Sequence, residues 1–167
     1  FRPPPRFPLF PSTPLFRSDL FDVPNRYGEF ALIGHGHSPR AHNVADGHRQ
    51  GHSVRAFDFR YELAHGPRRQ ARRYSVVVSP LDRRLPPVLM WHSGDKDYPP
   101  PAVNRSEYRV GEWLCQGDRR VSEALAACCG KLAGRPSMQI AAGTLMVMTP
   151  AGTRSEEHTS ELQSPNT

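Results

Sequence analysis

Apolar and polar positions alternate most regularly in VRAFDFRYE, where Phe57, Phe59 and Tyr61 fall on one side and Ala56, Asp58 and Arg60 on the other. A period of two predicts a half-buried strand with the aromatics inward. YSVVV, from Tyr74 to Val78, is a continuous run of β-formers and reads as a central strand. The basic segment AHGPRRQARR between them is expected to be the loop of an antiparallel hairpin. Upstream, EFALIG (29–34) reads as a short strand running into the turn-rich GHGHSPR, with order beginning near Tyr27. Downstream, PPVLMWH predicts a strand with its prolines at the start, where a missing N–H is tolerated. EYRVGEWLC (107–115) predicts another, with Gly111 as a candidate bulge.

One helix is predicted, from about Arg119 to Leu132. Asp118 serves as its N-cap, Val121, Leu125, Cys128 and Leu132 lie on one face, and Gly134 and Pro136 end it. MQIAAGTLMVM then predicts a hairpin turning at Ala142 and Gly143, with Met138, Ile140, Leu145 and Val147 as core positions. The sum is an α+β domain, an antiparallel sheet of about six or seven strands with one packed helix.

This domain is expected over residues 27–153. Residues 1–26 hold prolines at 3, 4, 5, 8, 11, 14 and 24, interleaved with Phe7, Phe10, Phe16 and Phe21, which predicts a disordered or linker segment. A polyproline ligand is the alternative. Residues 154–167, RSEEHTSELQSPNT, resemble a translated sequencing-adapter oligonucleotide and are set aside. With a start on Phe1, the chain is expected to be a fragment at both ends.

The chain carries 22 basic and 16 acidic side chains; without the tail these become 21 and 13, an excess of eight positive charges. A basic balance permits an anionic partner, although arginine scattered along the chain is also a solvated surface. Cys115, Cys128 and Cys129 form no CxxC pair, and an odd count argues against a disulfide framework, so a reducing compartment is expected. No run approaches the ~18 apolar residues of a membrane span.

Two constellations invite chemistry. His35, His37, His42, His48 and His52 crowd into eighteen residues, and imidazoles converging on one point bind zinc or copper. Turn-forming glycines among them favour solvated loop histidines, with metal binding as the alternative. Arg68, Arg69, Arg72 and Arg73 form a basic patch that suits phosphates. Stacking aromatics are missing from that loop apart from Tyr74 at its edge, so single-strand recognition is not signalled; a solvated hairpin loop is expected, with an anionic lipid surface or nucleic acid as the alternatives. Cys128 is expected on the helix's buried stripe, and Asp58 is expected to be solvated or paired across strands. No GxGxxG, GK[ST] or GxSxG occurs, so no catalytic residue and no cofactor is assigned.

The order of HNVADG, GHSVRAFDFRYE, RRQARRYSVVV, LPPVLMWH and the helix SEALAACCGKL resembles an uncharacterised family of bacterial hypothetical proteins, over Tyr27 to Ala151. The resemblance implies a fold and a membrane tether ahead of the domain, not a reaction, and the protein is expected in the cytoplasm or at the cytoplasmic face of the inner membrane. The stretch DKDYPPPAVNRSEYRVGEWLC is shorter and less acidic than the pattern, as a frameshift near Gly111 would make it. The expected function is therefore a non-enzymatic interaction or sensing module.

Overall fold

The structure, a computed structural model, describes residues 22–95, 99–132 and 134–151. The expected tail, 154–167, and most of the expected linker lie outside these residues. A short helix α1 (Asp22–Arg26) precedes strands β1 (His37–Arg49), β2 (His52–Leu63), β3 (Gln70–Pro80), β4 (Val88–His92), β5 (Tyr108–Val110) and β6 (Trp113–Gly117). Helix α2 (Arg119–Cys129) and the hairpin β7 (Ser137–Ala141) and β8 (Thr144–Pro150) follow. All eight strands form one antiparallel sheet in the order β1-β2-β3-β8-β7-β4-β6-β5, so the domain is α+β and mostly sheet.

Eight strands replace the expected six or seven for two reasons. EYRVGEWLC is two strands, because Gly111 (φ +55) opens a two-residue turn rather than a bulge and brings Val110 opposite Trp113. The long strand β1 also forms where a histidine-rich loop was expected. Gln50 and Gly51 both have positive φ, the geometry of a tight type I′ hairpin, and this turn folds His37–Arg49 back onto β2 despite its glycine and proline. EFALIG is not a strand. It winds through turns in which Phe30 accepts from the N–H groups of Ile33 and Gly34, and it plugs the sheet with Phe30, Leu32 and Ile33. Gln139 of β7 ties it down, its Oε1 accepting from Ala31 N–H at 2.8 Å and its Nε2 donating to the Glu29 carbonyl at 3.3 Å. Order starts ahead of Tyr27, since Val23 of α1 is buried in the same core.

Two cores lie on opposite faces of the sheet. The inner face packs Phe57, Phe59 and Tyr61 with Tyr74, Val76, Val78, Met146 and Met148 beneath α1 and the 27–33 segment. The other core covers only the β4–β6–β5 side, where Val88, Met90, Trp113, Cys115 and Met138 pack against Val121, Leu125, Ala126 and Cys129 of α2. On β8 this corrects the expected core. Val147, opposite Met138, and Leu145, opposite Ile140, are half-buried, while Met146 and Met148 are fully buried on the inner face. Alternation shows that two sets exist but not which face is better covered. On α2 the buried cysteine is Cys129, not Cys128, and Leu132 lies beyond the helix with 51% exposure. The Asp118 cap forms as expected, its Oδ1 accepting from Val121 N–H at 3.0 Å.

Among the described residues no helix lies over the outer face of β1, β2 and β3. Gly117, at the junction of β6 with α2, has φ +98, and a Cβ there would sit 2.3 Å from the Pro87 carbonyl oxygen. Gly117→Ala should accordingly lower stability by about 2 kcal/mol or more, strain and overlap adding, as read from the urea midpoint.

Candidate functional site

The inward ionisable groups are already committed to one another. Asp95 follows β4, and its carboxylate accepts from Arg72 Nη2 at 2.6 Å and from the Tyr74 hydroxyl at 2.5 Å. Its carbonyl accepts from Trp91 Nε1 at 3.1 Å. Burial opposes the Arg72 charge, but Tyr74 and Asp95 outweigh it and hold the guanidinium above its usual range. Burial and the bond to Asp95 also push the Tyr74 phenol upward, which makes it a fixed donor and not a base. Burial likewise raises the neighbouring Tyr61. The network joins β3 to the β4 end across the inner face.

A second carboxylate, Glu62, is buried at the end of β2. Arg69 bridges both its oxygens, donating to Oε1 at 2.5 Å, and this bond holds the carboxyl below its ordinary value. Third, His92 is buried against Trp113 with their rings edge to face. Its Nδ1 accepts from Gly94 N–H at 3.0 Å, so the ring proton sits on Nε2, 3.3 Å from Glu112. Burial raises the thiols of Cys115 and Cys129, which keeps them protonated and unreactive.

The five histidines do not converge. β1 is extended, and at ~3.3 Å per residue His37 and His48 stand on the order of 30 Å apart. His37, His42 and His52 belong to the outer face by their partners Glu62, Asp58 and Arg49, whereas His48 pairs with Ser53 on the inner face. His35 packs edge-on against Tyr61, His37 donates from Nε2 to the Ala64 carbonyl at 2.7 Å and stacks on His65, and His52 faces Asp82 at 3.4 Å. No group of three or more His, Cys, Asp or Glu suited to a metal occurs among the described residues.

The expected arginine patch is divided as well. Gln70 to Arg73 belong to β3, so successive side chains point to opposite faces. Arg72 turns inward to Asp95, Arg69 is taken by Glu62, and Arg68 sits exposed in a 3-10 turn, Gly66–Arg68. Arg73 stays exposed on the outer face, and there it joins two arginines absent from the expected patch. The register sets Arg40 opposite Arg60 and Arg60 opposite Arg73, so three guanidinium side chains occupy one rung across three adjacent strands.

A bulge creates this rung. Near the turn the pairing is regular to Ala45↔Ala56, but the next pair is His42↔Asp58, one extra residue on β1. Unbulged, the hairpin would have placed Arg40 on the inner face. Asn43, at the bulge, has φ +53 and donates to Asp58 Oδ2 at 2.8 Å. Opposed side chains have Cβ atoms about 5 Å apart, where like charges repel. Among the described residues neither Arg40 nor Arg73 has an ion-pair partner, and Arg60 reaches Glu62 only at 3.5 Å. The outward position of Arg60 was legible from the β2 alternation, whereas Arg40 left no sequence signal because the bulge decides its side.

A groove of about 760 Å³ lies on the inner side beyond α1, lined by Arg26, Tyr27, Asp46, His48, Arg55 and Val78 among others. Its charges are internally matched where Arg55 clamps Asp46 through two bonds of 2.6 and 3.1 Å. No protein-family model, curated protein or solved structure matches this chain.

Two outcomes follow from the committed groups. Asp95→Ala removes a carboxylate that accepts from both Arg72 and Tyr74 in a largely buried site and should cost about 3 kcal/mol, with the Arg72→Met/Asp95→Ala pair recovering part of it in denaturant titrations. Glu62 has a lowered folded pKa, so its contribution is present above the ordinary glutamate value of 4.5 and is lost as pH falls below it. Stability measured from neutral pH downward should therefore fall less steeply in Glu62→Gln than in the parent, from a lower starting value.

Proposed function

We propose that this domain is a non-enzymatic interaction module that takes anionic partners on the outer face of β1, β2 and β3. The observation that carries this reading is the Arg40–Arg60–Arg73 rung on a half-sheet that no helix among the described residues covers. Glu62, Asp95 and His92, the titratable groups that burial would tune for catalysis, serve instead as counter-charges or bonded struts.

Arg40 and Arg73, without an ion-pair partner among the described residues, and Arg60, loosely held by Glu62, suit a partner of opposite charge. Val77, 40% exposed on the same face, and the half-buried Ala56 supply modest apolar contact beside the basic rung. The charge excess of the chain steers anions toward it from a distance. Presentation at the cytoplasmic face of a membrane, which the family resemblance implies, would set this face beside anionic headgroups. Among the described residues no helix is long and apolar enough to cross a membrane.

Retention on immobilised heparin tests the reading. The Arg40→Gln/Arg73→Gln variant should elute at clearly lower salt than the parent, and an Arg83→Gln/Arg84→Gln variant of equal net charge should elute close to it. Equal losses from the two variants would mean that total charge, not this face, governs binding.

A further inference from the structure

The outer face points to a more specific ligand than a generic polyanion, an inference that rests on the module reading. We infer that Arg40, Arg60 and Arg73 form a binding site for a single doubly charged phosphate group, a phosphomonoester, held above the middle of the rung.

The charge count sets the ligand's charge. Around the rung the outer face places Arg40, Arg60, Arg69 and Arg73 against two carboxylates, Asp58 and Glu62, an excess of two positive charges. Glu62 is held chiefly by Arg69 and reaches Arg60 only at 3.5 Å, so it compensates the rung weakly. Asp58, one rung away, is engaged by Asn43 at 2.8 Å and by the Ser75 hydroxyl at 3.2 Å. A phosphomonoester carries about −1.5 to −2 near neutral pH, which matches that excess, whereas a lone carboxylate supplies half of it.

Geometry sets the ligand's size. The outer two arginines are two strand spacings apart, about 10 Å, and flexible side chains rooted at that distance can converge on one group above Arg60. Guanidinium forks match phosphate oxygens two at a time. Arg60 has one fork only loosely engaged, by Glu62 at 3.5 Å, and Arg40 and Arg73 approach from either flank. A nucleic-acid strand fits less well. The aromatics of β2 and β3, Phe57, Phe59, Tyr61 and Tyr74, are all buried on the inner face, so these two strands present no phenyl or phenol ring beside the rung on which bases could stack.

The bulge at Asn43 also gives the site its dependence on fold. It aligns Arg40 with Arg60, and only in the folded hairpin do the three charges meet. The repulsion among them is a native-state cost that a bound dianion removes, so binding and stability are linked.

The test uses the full chain and inorganic phosphate. At matched ionic strength, phosphate in place of chloride should raise the melting temperature, and amide resonances of residues 40–42, 58–62 and 73–75 should shift together in a phosphate titration. Arg40→Gln/Arg73→Gln should weaken phosphate binding at least about tenfold and should raise the phosphate-free melting temperature at low salt. Arg83→Gln/Arg84→Gln should change neither. Vesicles of phosphatidylcholine, with and without a fifth of phosphatidic acid, then distinguish the source of the phosphate. Rung-dependent binding to the second alone assigns the site to a headgroup, and a phosphate effect without vesicle binding assigns it to a free phosphate ester. No phosphate effect at matched ionic strength, or resonance shifts spread over the whole surface, would overturn the site. Heparin retention that still depended on the rung would in that case leave the broader module reading standing.

Discussion

The inner-face packing of Phe57, Phe59 and Tyr61 against Tyr74, Val76 and Val78 is the constraint on which the rest depends. A slip of one residue between β2 and β3 would expose this whole set, so their mutual register is fixed by apolar burial. That register determines the placement of everything polar. It sets Arg72 inward beside Tyr74, where the Asp95 carboxylate offsets the cost of burying a guanidinium, and it leaves Arg60 and Arg73 side by side outside. The same alternation thus builds a core on one face and a concentration of charge on the other.

Strands with a regular period were legible in the sequence. β2, β3 and β4, the Asp118-capped helix and the Ala142–Gly143 hairpin all declare themselves through alternation, a cap residue or a turn dipeptide. β1 was not legible, because its residues have poor strand propensity and form a strand through pairing with β2. EFALIG was misleading for the opposite reason. Its apolar residues are buried, but by plugging a finished sheet rather than extending one.

The candidate site was half legible. Composition announced surplus arginine, and the loop 64–73 concentrated it, yet proximity in sequence proved a poor guide. In a strand, neighbours such as Arg72 and Arg73 separate to opposite faces, while Arg40 and Arg73, thirty-three positions apart, become rung mates. The histidines show the same effect in reverse, since eighteen crowded residues become an extended strand and a turn that hold their imidazoles far apart.

The two irregularities of β1 have an effect at its unpaired margin too. Among the described residues this strand is the outermost of the sheet, and those N–H and C=O groups of its thirteen residues that face away from β2 would be a template for adding another chain. The extra residues between His37 and Arg40 and between His42 and Ala45 interrupt that template, and Pro39 removes a donor from it. An incoming strand finds only Ala45–Arg49 in unbroken register, a stretch that carries Asp46, His48 and Arg49. The kinks that line up the arginines therefore also protect the fold from growing edge to edge into a fibre.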